Sequence, residues 1–363
     1  MSLPDWDNPE WTETLIKKIK QKAPRNLRFM EVCGTHTVNM FRYGIREAIA
    51  PEVNFISGPG CPVCVTPTSE IDKAIWLSQQ KGVIIATYGD MIRVPGSNGN
   101  SLRKAIARGA TVKIVYAATD SIEIAKHNPD KEVVFLGVGF ETTAPATAVL
   151  AKEVVQKGIK NLSIVVMHKV IPPVMQMLLE DKDIAIDGFL CPGHVSVVIG
   201  ENPYHFIPER YHKPAVIGGF KASEILYAIY RMVSQIAEGT PAVENAYRYV
   251  VKKEGNKEAQ AVLKEVFQTT DVQWRGIGTI PMSGMQLKGD FTHIDAEKRF
   301  QIPKLESKDP PGCRCGDVLK GIIEPYQCPL FGKACTPLEP VGPCMVSTEG
   351  SCAAYYKYGG KVI

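Results

Sequence analysis

The chain has 363 residues, of which 45% are hydrophobic and 22% are charged, and a formal net charge of +4. This length is too great for one compact core, so we expect two or three domains of ordinary globular composition. The small net charge predicts neither a nucleic-acid groove nor a membrane-binding surface.

The apolar runs and the N-terminal residues indicate the compartment. The longest apolar runs, such as 133–138 and 163–167, have the length of strands and fall far short of a membrane span. Asp5, Asp7 and Glu10 stand where a signal peptide would be basic and then apolar, so we expect a cytoplasmic protein. In that reducing compartment the ten cysteines are predicted to bind metal or to carry out redox chemistry.

An amphipathic helix is predicted over residues 8–22. Trp11, Leu15 and Ile19 fall on one face of this helix, and lysines supply a solvated face. Pro24 ends the helix.

From residue 27 onward, short apolar runs alternate with segments of helical spacing. This alternation predicts parallel sheets that are covered by helices on both faces. The predicted strands are Leu27–Val32, Val53–Ile56, Val83–Thr87, Val112–Tyr116, Val133–Val138, Leu162–Met167, Ile186–Leu190 and Ala215–Ile217. The predicted helices among them are 38–49, 69–80, 101–108, 120–127, 144–157, 173–180 and 221–237.

Eight such strands suit either one barrel or two smaller sheets. Unequal spacings, and a weak likeness between the segments 58–65 and 190–197, favour two sheets. We therefore predict an α/β protein with two doubly wound parallel-sheet domains and a smaller, mainly helical or irregular domain. A turn cluster at 127–130 indicates the first boundary. The predicted domains are 26–130, 131–238 and 239–363, with the N-terminal helix 1–25 packing on the last.

Two cysteines in a Cys-x-x-Cys spacing, Cys61 and Cys64, follow a predicted strand. Gly58-Pro-Gly60 breaks this strand, and Thr66 is predicted to cap a helix that has Pro67 at its first position. Backbone N–H groups at a helix start favour the thiolate, which attacks disulfides and binds metal. The pattern therefore indicates a reactive pair, and the alternative is a turn with two buried, inert thiols.

Cys33 and His36 lie in Cys33-Gly-Thr-His36, directly after another predicted strand. A thiolate and an imidazole could hold one metal ion, or act as a nucleophile and its base. The alternative is a buried thiol beside a hydrogen-bonded histidine. His168 and His194 could likewise line a site or only hold a loop.

Polar and thiol groups follow six of the predicted strands. Ligands collect at the carboxyl ends of parallel strands, so we expect these groups to line one cleft between two domains. The groups are Cys33 with His36, Cys61 with Cys64, Tyr88-Gly-Asp90, Glu141-Thr-Thr143, His168-Lys169 and Cys191-Pro-Gly-His194.

After residue 239 the strand–helix rhythm stops. Segments 242–251 and 256–267 are predicted to be helical, and 273–284 is punctuated by glycine and proline. From Pro310 onward the chain is rich in Cys, Pro and Gly and has little apolar periodicity, so it needs an external staple to fold.

Six cysteines can supply that staple: Cys313, Cys315, Cys328, Cys335, Cys344 and Cys352. An all-cysteine zinc site and an iron–sulfur cluster both need four thiolates. Zinc sites of this kind are built from two close cysteine pairs, whereas the separations here are wide. The spacing therefore favours a [4Fe–4S] cluster over zinc, with unligated structural thiols as a third alternative.

The combined motifs resemble those of the hydrogenase maturation factor HypD family. The resemblance is carried by Cys-Gly-Thr-His-Thr at 33–37, Gly-Pro-Gly-Cys-Pro-Val-Cys at 58–64, Gly-Phe-Glu-Thr-Thr-Ala-Pro at 139–145 and Cys-Pro-Gly-His-Val-Ser at 191–196. The spacing C-x14-C-x6-C-x16-C is similar to the cluster signature of that family. It selects Cys313, Cys328, Cys335 and Cys352, and leaves Cys315 and Cys344 as non-ligands.

The resemblance implies a scaffold on which the Fe(CN)2CO part of the [NiFe]-hydrogenase centre is assembled. It implies that Cys33 anchors the iron, that His36 is a second ligand or proton donor, and that His194 lines the iron site. Cys61 and Cys64 become a redox pair supplied with electrons by the cluster. The implied partners are a HypC-type chaperone and a HypE-type cyanide donor, which is loaded by HypF.

Two other functions remain open from the residues alone. One is a free-standing oxidoreductase that reduces a small substrate through Cys61 and Cys64. The other is a binding module whose cysteine-rich tail is a zinc staple.

Overall fold

The computed structural model describes residues 9–359 and has the predicted α/β architecture with two parallel sheets. No helix in this part of the chain is both long and apolar enough to cross a bilayer. The strands are β1 (Leu27–Glu31), β2 (Val53–Ser57), β3 (Val83–Thr87), β4 (Thr111–Ile114), β5 (Glu132–Gly139), β6 (Leu162–His168), β7 (Gly188–Cys191), β8 (Ala215–Ile217), β9 (Val243–Asn245), β10 (Phe267–Trp274) and β11 (Gly278–Leu287).

The α-helices surround the two sheets and continue into the C-terminal region. They are α1 (Pro9–Lys22), α2 (Gly34–Arg42), α3 (Ile45–Ile49), α4 (Pro62–Val65), α5 (Thr68–Ser78), α6 (Leu102–Ala107), α7 (Asp120–Lys126), α8 (Ala144–Gln156), α9 (Ile171–Glu180), α10 (Gly193–Ile199), α11 (Phe206–Tyr211), α12 (Ala222–Glu238), α13 (Lys257–Val266), α14 (Ala296–Phe300), α15 (Cys315–Leu319) and α16 (Ser351–Tyr358).

The two sheets do not take their strands in chain order. The first sheet has the order β2–β1–β7–β8–β9, and the second has the order β4–β3–β5–β6. The second sheet is therefore an insertion between β2 and β7 of the first. The boundary predicted near 128–131 falls between β4 and β5, inside the second sheet, so the predicted domains 26–130 and 131–238 do not correspond to the sheets.

Both sheets are buried on both faces, as the apolar strand sequences predict. In β1, Phe29 belongs to an apolar cluster with α1 and α12, whereas Met30 belongs to a cluster on the opposite face. In β5, Val134 and Phe135 are likewise divided between two clusters. Because successive side chains of a strand point to opposite faces, this division shows helices or loops packed on each side.

Two local predictions are wrong. Helix α1 packs on α12 and α3 rather than on the C-terminal region, and its Leu15 and Ile19 share a cluster with Ile225 and Ile229 of α12. The predicted helix 242–251 contains strand β9 instead, which pairs with β8.

The segment 273–284, which glycine and proline punctuate in the sequence, belongs to an antiparallel hairpin of β10 and β11. Many side chains of this hairpin are exposed and polar, so its sequence lacks the apolar alternation that would predict strands.

The predicted helix 38–49 is interrupted at Gly44, which has a left-handed φ of +64°.

The C-terminal region packs on the face of the first sheet that carries Met30 and Ile56. Val318, Leu319 and Met345 belong to the same apolar cluster as these two residues. The region that carries the six cysteines is therefore anchored directly on the first sheet.

Gly60 allows the turn after β2 to touch the turn after β1. A Cβ atom at residue 60 would lie 2.4 Å from the backbone nitrogen of Cys33 and 2.6 Å from the carbonyl carbon of Val32. The Gly60 carbonyl also accepts a hydrogen bond from the Gly34 N–H at 3.3 Å.

Gly60→Ala is expected to lower the free energy of unfolding by at least about 2 kcal/mol, because backbone atoms cannot rotate away from the added methyl group. Urea denaturation measures this change. Gly89→Ala is the matched control, since its Cβ atom would meet nothing closer than 4.0 Å, and we expect a change below about 1 kcal/mol. Equal losses in the two variants would contradict the close packing at residue 60.

Candidate thiol site and cysteine-rich cavity

The order β2–β1–β7 brings three cysteine- and histidine-bearing turns to one edge of the first sheet. Cys33 follows β1, Cys61 follows β2 soon after its end, and His194 follows β7. Because the three strands are parallel, their carboxyl ends meet at the same edge. Residues far apart in the chain therefore lie side by side.

Cys33 precedes helix α2 in an extended conformation and is buried. Burial and the nearby Glu349 carboxylate raise the pKa of the Cys33 thiol to about 12, against the lowering effect of the Thr35 and His36 N–H groups. Glu349 accepts a 2.8 Å hydrogen bond from the Thr35 hydroxyl. The Cys33 thiol therefore keeps its proton at neutral pH unless a metal ion or a base takes it.

His194, rather than His36, is the imidazole hydrogen-bonded to Cys33. Its Nδ1 atom lies 3.8 Å from the Cys33 Sγ atom. The His36 Nε2–H donates to the Gly219 carbonyl at 2.9 Å, and the buried His36 Nδ1 has no hydrogen-bond partner in the described part of the chain. Burial lowers the pKa of His36 to about 4, so this ring is neutral with a free nitrogen lone pair.

Phe220 positions both imidazoles. Its ring lies 4.1 Å from the His194 ring, nearly stacked, and 4.7 Å from the His36 ring. Its own backbone N–H donates to Glu224 at 2.8 Å. Phe220 was not predicted as a site residue, although the Gly218-Gly219-Phe220 turn directly after β8 indicates a backbone that approaches a site closely.

Cys61 and Cys64 form a buried disulfide across the short helix α4. The helix predicted to begin at Pro67 is α5, which begins at Thr68 with Pro67 rather than Thr66 as its N-cap. The short helix α4, which Pro62 opens, was not predicted. The Thr66 hydroxyl donates back to the Pro62 carbonyl at 2.9 Å and caps nothing. The two sulfur atoms therefore lie at the ends of a single helical turn, next to the Gly60 contact with Cys33.

The six C-terminal cysteines line one small apolar cavity. Its wall also includes Val318, Leu330, Phe331 and Met345. Within residues 9–359, no group of three or more His, Cys, Asp or Glu side chains already has the arrangement of a metal site. The cysteines thus share a cavity without being drawn together around one point.

Cys315 and Cys344, which the resemblance leaves as non-ligands, approach each other closely in this cavity. The Cys315 Sγ lies 2.9 Å from the Cys344 Sγ. Hydrogen bonds from Cys313 and Cys344, aided by the charge of Arg275, lower the pKa of the Cys315 thiol well below its ordinary value. The same contact raises the pKa of Cys344.

The disulfide adjoins the cysteine-rich cavity. The Cys64 Sγ lies 4.0 Å from the carbonyl oxygen of Pro343, the residue before Cys344. On another side, the Arg275 N–H donates to the carbonyl of Val65 at 2.9 Å. The disulfide therefore lies between the Cys33 turn and the cavity.

Arg275 is a buried cation beside this junction. Its side chain is 2% exposed, and its Nη1 atom has no hydrogen-bond partner among the described residues. The neighbouring Gly276 packs directly on Gly316, so the guanidinium is held close to Cys315. In the sequence Arg275 is only one residue of the glycine- and proline-punctuated segment 273–284, so its place beside the cysteines was not predicted.

Glu141 approaches the thiol site from the second sheet. One of its oxygens accepts from the Ile171 N–H at 2.9 Å, and the other has no hydrogen-bond partner within the residues that the structure describes. Glu141, Cys33 and Cys191 all lie near Tyr204, whose pKa is raised mainly by burial and further by any negative charge on these three groups. The Tyr204 hydroxyl is 3.0 Å from the Ser196 hydroxyl, in the turn that carries His194.

Two of the six predicted strand-end groups lie elsewhere. The His168 Nε2 is 2.8 Å from the Thr147 hydroxyl, and its Nδ1 is 3.4 Å from the Gly139 carbonyl, so His168 holds a loop. Tyr88 packs edge-on against Phe135, in the core of the second sheet. The site is therefore smaller than the predicted cleft.

The Glu141 carboxyl should make stability depend on pH. Burial raises its pKa to about 7 from an ordinary value of 4.5. Between these values the folded protein holds a proton that the unfolded chain has lost, so the free energy of unfolding falls as the pH rises, by about 3 kcal/mol in total. Glu141→Gln cannot ionise and is expected to remove this dependence in urea denaturation at pH values across the window.

Glu254→Gln, at an exposed position, is the matched control. It should follow the parent protein at every pH. Parallel curves for the parent and the Glu141→Gln variant would contradict a buried, protonated Glu141.

Comparison with known proteins agrees with the motifs. The family model described as "HypD: Hydrogenase formation hypA family" matches residues 10–359. The hydrogenase maturation factor HypD2 of Bradyrhizobium diazoefficiens is 46% identical over 354 residues, which cover 95% of this chain and 93% of that protein. HypD of Escherichia coli is 43% identical, with 96% of each chain covered.

A third relative is the hydrogenase expression/formation protein HupD of Azotobacter chroococcum. It is 42% identical over 92% of this chain and 90% of its own length. Identity at this level, over nearly the whole of each relative, shows the family. The chain therefore belongs to the HypD family of hydrogenase maturation factors.

Proposed function

We propose that this chain acts in hydrogenase maturation as the scaffold on which an iron atom receives cyanide and carbonyl ligands, with Cys33 as the anchor of the iron. The observation that supports this most strongly is the position of the Cys61–Cys64 disulfide. It touches the Cys33 turn through Gly60 and the cysteine-rich cavity through Pro343. A redox group at that position can exchange electrons with a centre bound in the cysteine-rich cavity and with one bound at Cys33.

The chemistry of Cys33 suits a soft iron centre. Iron with cyanide and carbonyl ligands is low-spin and electron-rich, and a thiolate is a suitable ligand for it. Because the pKa of Cys33 is raised to about 12, binding of iron must release the thiol proton. The His194 Nδ1, 3.8 Å from the sulfur, is placed to take that proton.

His36 is the proposed second ligand of the iron. Its buried Nδ1 atom has no hydrogen-bond partner among residues 9–359, which costs free energy unless a ligand uses the lone pair. Its Nε2–H donates to Gly219, which fixes the tautomer that leaves Nδ1 available.

The Cys61–Cys64 pair is the proposed redox couple. Reduction of the disulfide takes up two electrons and two protons and gives two thiols, and its reformation returns them. The pair is buried, so solvent thiols have little access to it. Electrons must then arrive through the protein.

The cysteine-rich cavity is the proposed site of a [4Fe–4S] cluster. Four thiolates hold such a cluster, and six thiols with an apolar surround line this cavity. The donor set fits the group, and the family spacing selects Cys313, Cys328, Cys335 and Cys352. When bound, the cluster would supply one-electron chemistry beside the disulfide. A HypC-type chaperone and a HypE-type cyanide donor are the proposed partners.

Anaerobically purified protein is expected to contain about four iron atoms and four sulfides per chain. Cys328→Ala and Cys335→Ala should lose most of this content, because each removes a proposed ligand. Cys315→Ala, in the same cavity, is the matched control and should retain it. A content of one zinc ion per chain without sulfide would contradict the cluster proposal. Loss of iron and sulfide in Cys315→Ala alone would contradict the ligand assignment.

Cys33→Ala is expected to abolish the infrared bands of iron-bound cyanide and carbonyl in protein purified with its maturation partners. The iron and sulfide attributed to the cluster should stay unchanged in this variant. Cys191→Ala is the control, because it removes another buried thiol from the same sheet edge. Full-intensity bands in the Cys33→Ala protein would contradict the anchor role.

A further inference from the structure

A large groove lies between the second sheet and the cysteine-rich region. Its walls are helix α6 on one side, the linker 308–311, and the segment 334–341 on the other side, and its volume is about 1170 Å³. None of the functions proposed above uses this groove.

The groove carries uncompensated positive charge. Arg103, Lys104 and Lys308 line it, and within residues 9–359 none of their charged groups forms an ion pair or a hydrogen bond. Of the two carboxylates in the lining, Asp309 accepts from the Thr68 hydroxyl and lies 3.5 Å from Arg275. Glu339 is therefore the one carboxylate of the lining that is left to balance these three cations.

An apolar residue stands among these charges. Leu338, in the same lining, is 85% exposed. An exposed apolar side chain among mainly basic groups suits a surface that binds an acidic protein. Two carboxylates and a leucine in the lining fit a nucleic-acid backbone less well.

The wall of the groove is also the wall of the cysteine-rich cavity. The Val341 N–H donates to the Cys335 Sγ at 3.3 Å, and Val341 itself lines the groove. The next residue, Gly342, lines the cavity, where a Cβ atom would lie 2.7 Å from the Cys313 Sγ. About one layer of residues separates the two spaces, so a redox centre docked in the groove would lie near the sulfur atoms.

We propose that this groove is the docking site of a small acidic electron-carrier protein, which reduces the cysteine-rich centre. The inference rests on the cluster in the proposed function. With the proposed cluster bound at the six cysteines, each docking would transfer one electron from the reduced carrier to the protein. Two dockings would supply the two electrons that, with two protons from solvent, convert the Cys61–Cys64 disulfide to its thiols.

The test uses a plant-type [2Fe–2S] ferredoxin as an acidic one-electron probe. Its dissociation constant for the anaerobically purified full chain is measured by calorimetry at low and at high ionic strength. We expect binding that weakens with salt, and an Arg103→Glu/Lys104→Glu variant that binds at least about tenfold more weakly. Leu338→Ser is expected to weaken binding without changing its salt dependence.

Arg108→Glu/Lys131→Glu is the matched control. It makes the same change in net charge at a different basic cavity of the same sheet, and should bind as the parent does. Ferredoxin that does not bind the parent chain at low ionic strength, or equal weakening in both double variants, would overturn the proposal.

Stopped-flow oxidation of reduced ferredoxin gives a second readout. Its second-order rate constant should fall by the same factor in the Arg103→Glu/Lys104→Glu variant, while reduction of the variant by dithionite stays unchanged. Equal slowing with both reductants would overturn the docking role. Calorimetry detects docking whether or not the chain carries iron. A chain without iron and sulfide would therefore count against the proposed cluster, whereas the calorimetric result alone decides whether the groove is a docking site.

Discussion

Parallel pairing of β1 with β2 on one side and with β7 on the other is the constraint on which the thiol site depends. Cys33, Cys61 and His194 come from turns that are far apart in the chain, and only this pairing brings them to one edge. Gly60 then lets two of the turns touch through their backbones. The site is therefore a property of the sheet rather than of any one motif.

Burial determines the protonation of this edge. Burial keeps the Cys33 thiol protonated and the His36 imidazole neutral at neutral pH, and it raises the pKa of the Glu141 carboxyl to about 7. Binding of a soft metal ion at Cys33 is therefore coupled to release of the thiol proton. Two charged groups border these residues: the Glu349 carboxylate beside Cys33, and Arg275, a buried cation on the side that faces the cysteine-rich cavity.

Local features of the fold could be predicted from the sequence, and long-range ones could not. Buried parallel strands such as β5 appear as apolar runs, so the strands and the groups that follow them were recognisable. Which strands share a sheet is decided by packing over long separations, which is why the insertion of β3–β6 was missed. Spacing also does not tell that Cys315 and Cys344 approach each other, or that Phe220 holds both histidines. The exposed hairpin of β10 and β11 lacks the alternation of apolar and polar residues from which strands are predicted.

The insertion of one sheet within the other has a consequence for synthesis of the chain on the ribosome. β1 and β2 emerge first, but β7 is made only after about 130 further residues, which takes roughly 7–26 s at ordinary rates of translation. Until then the nascent Cys33 and Cys61 turns lack the neighbour that covers them. Glu349, which borders Cys33, is made later still. Newborn chains therefore pass through a period in which these sulfur atoms are open to oxidants, before the finished fold encloses them.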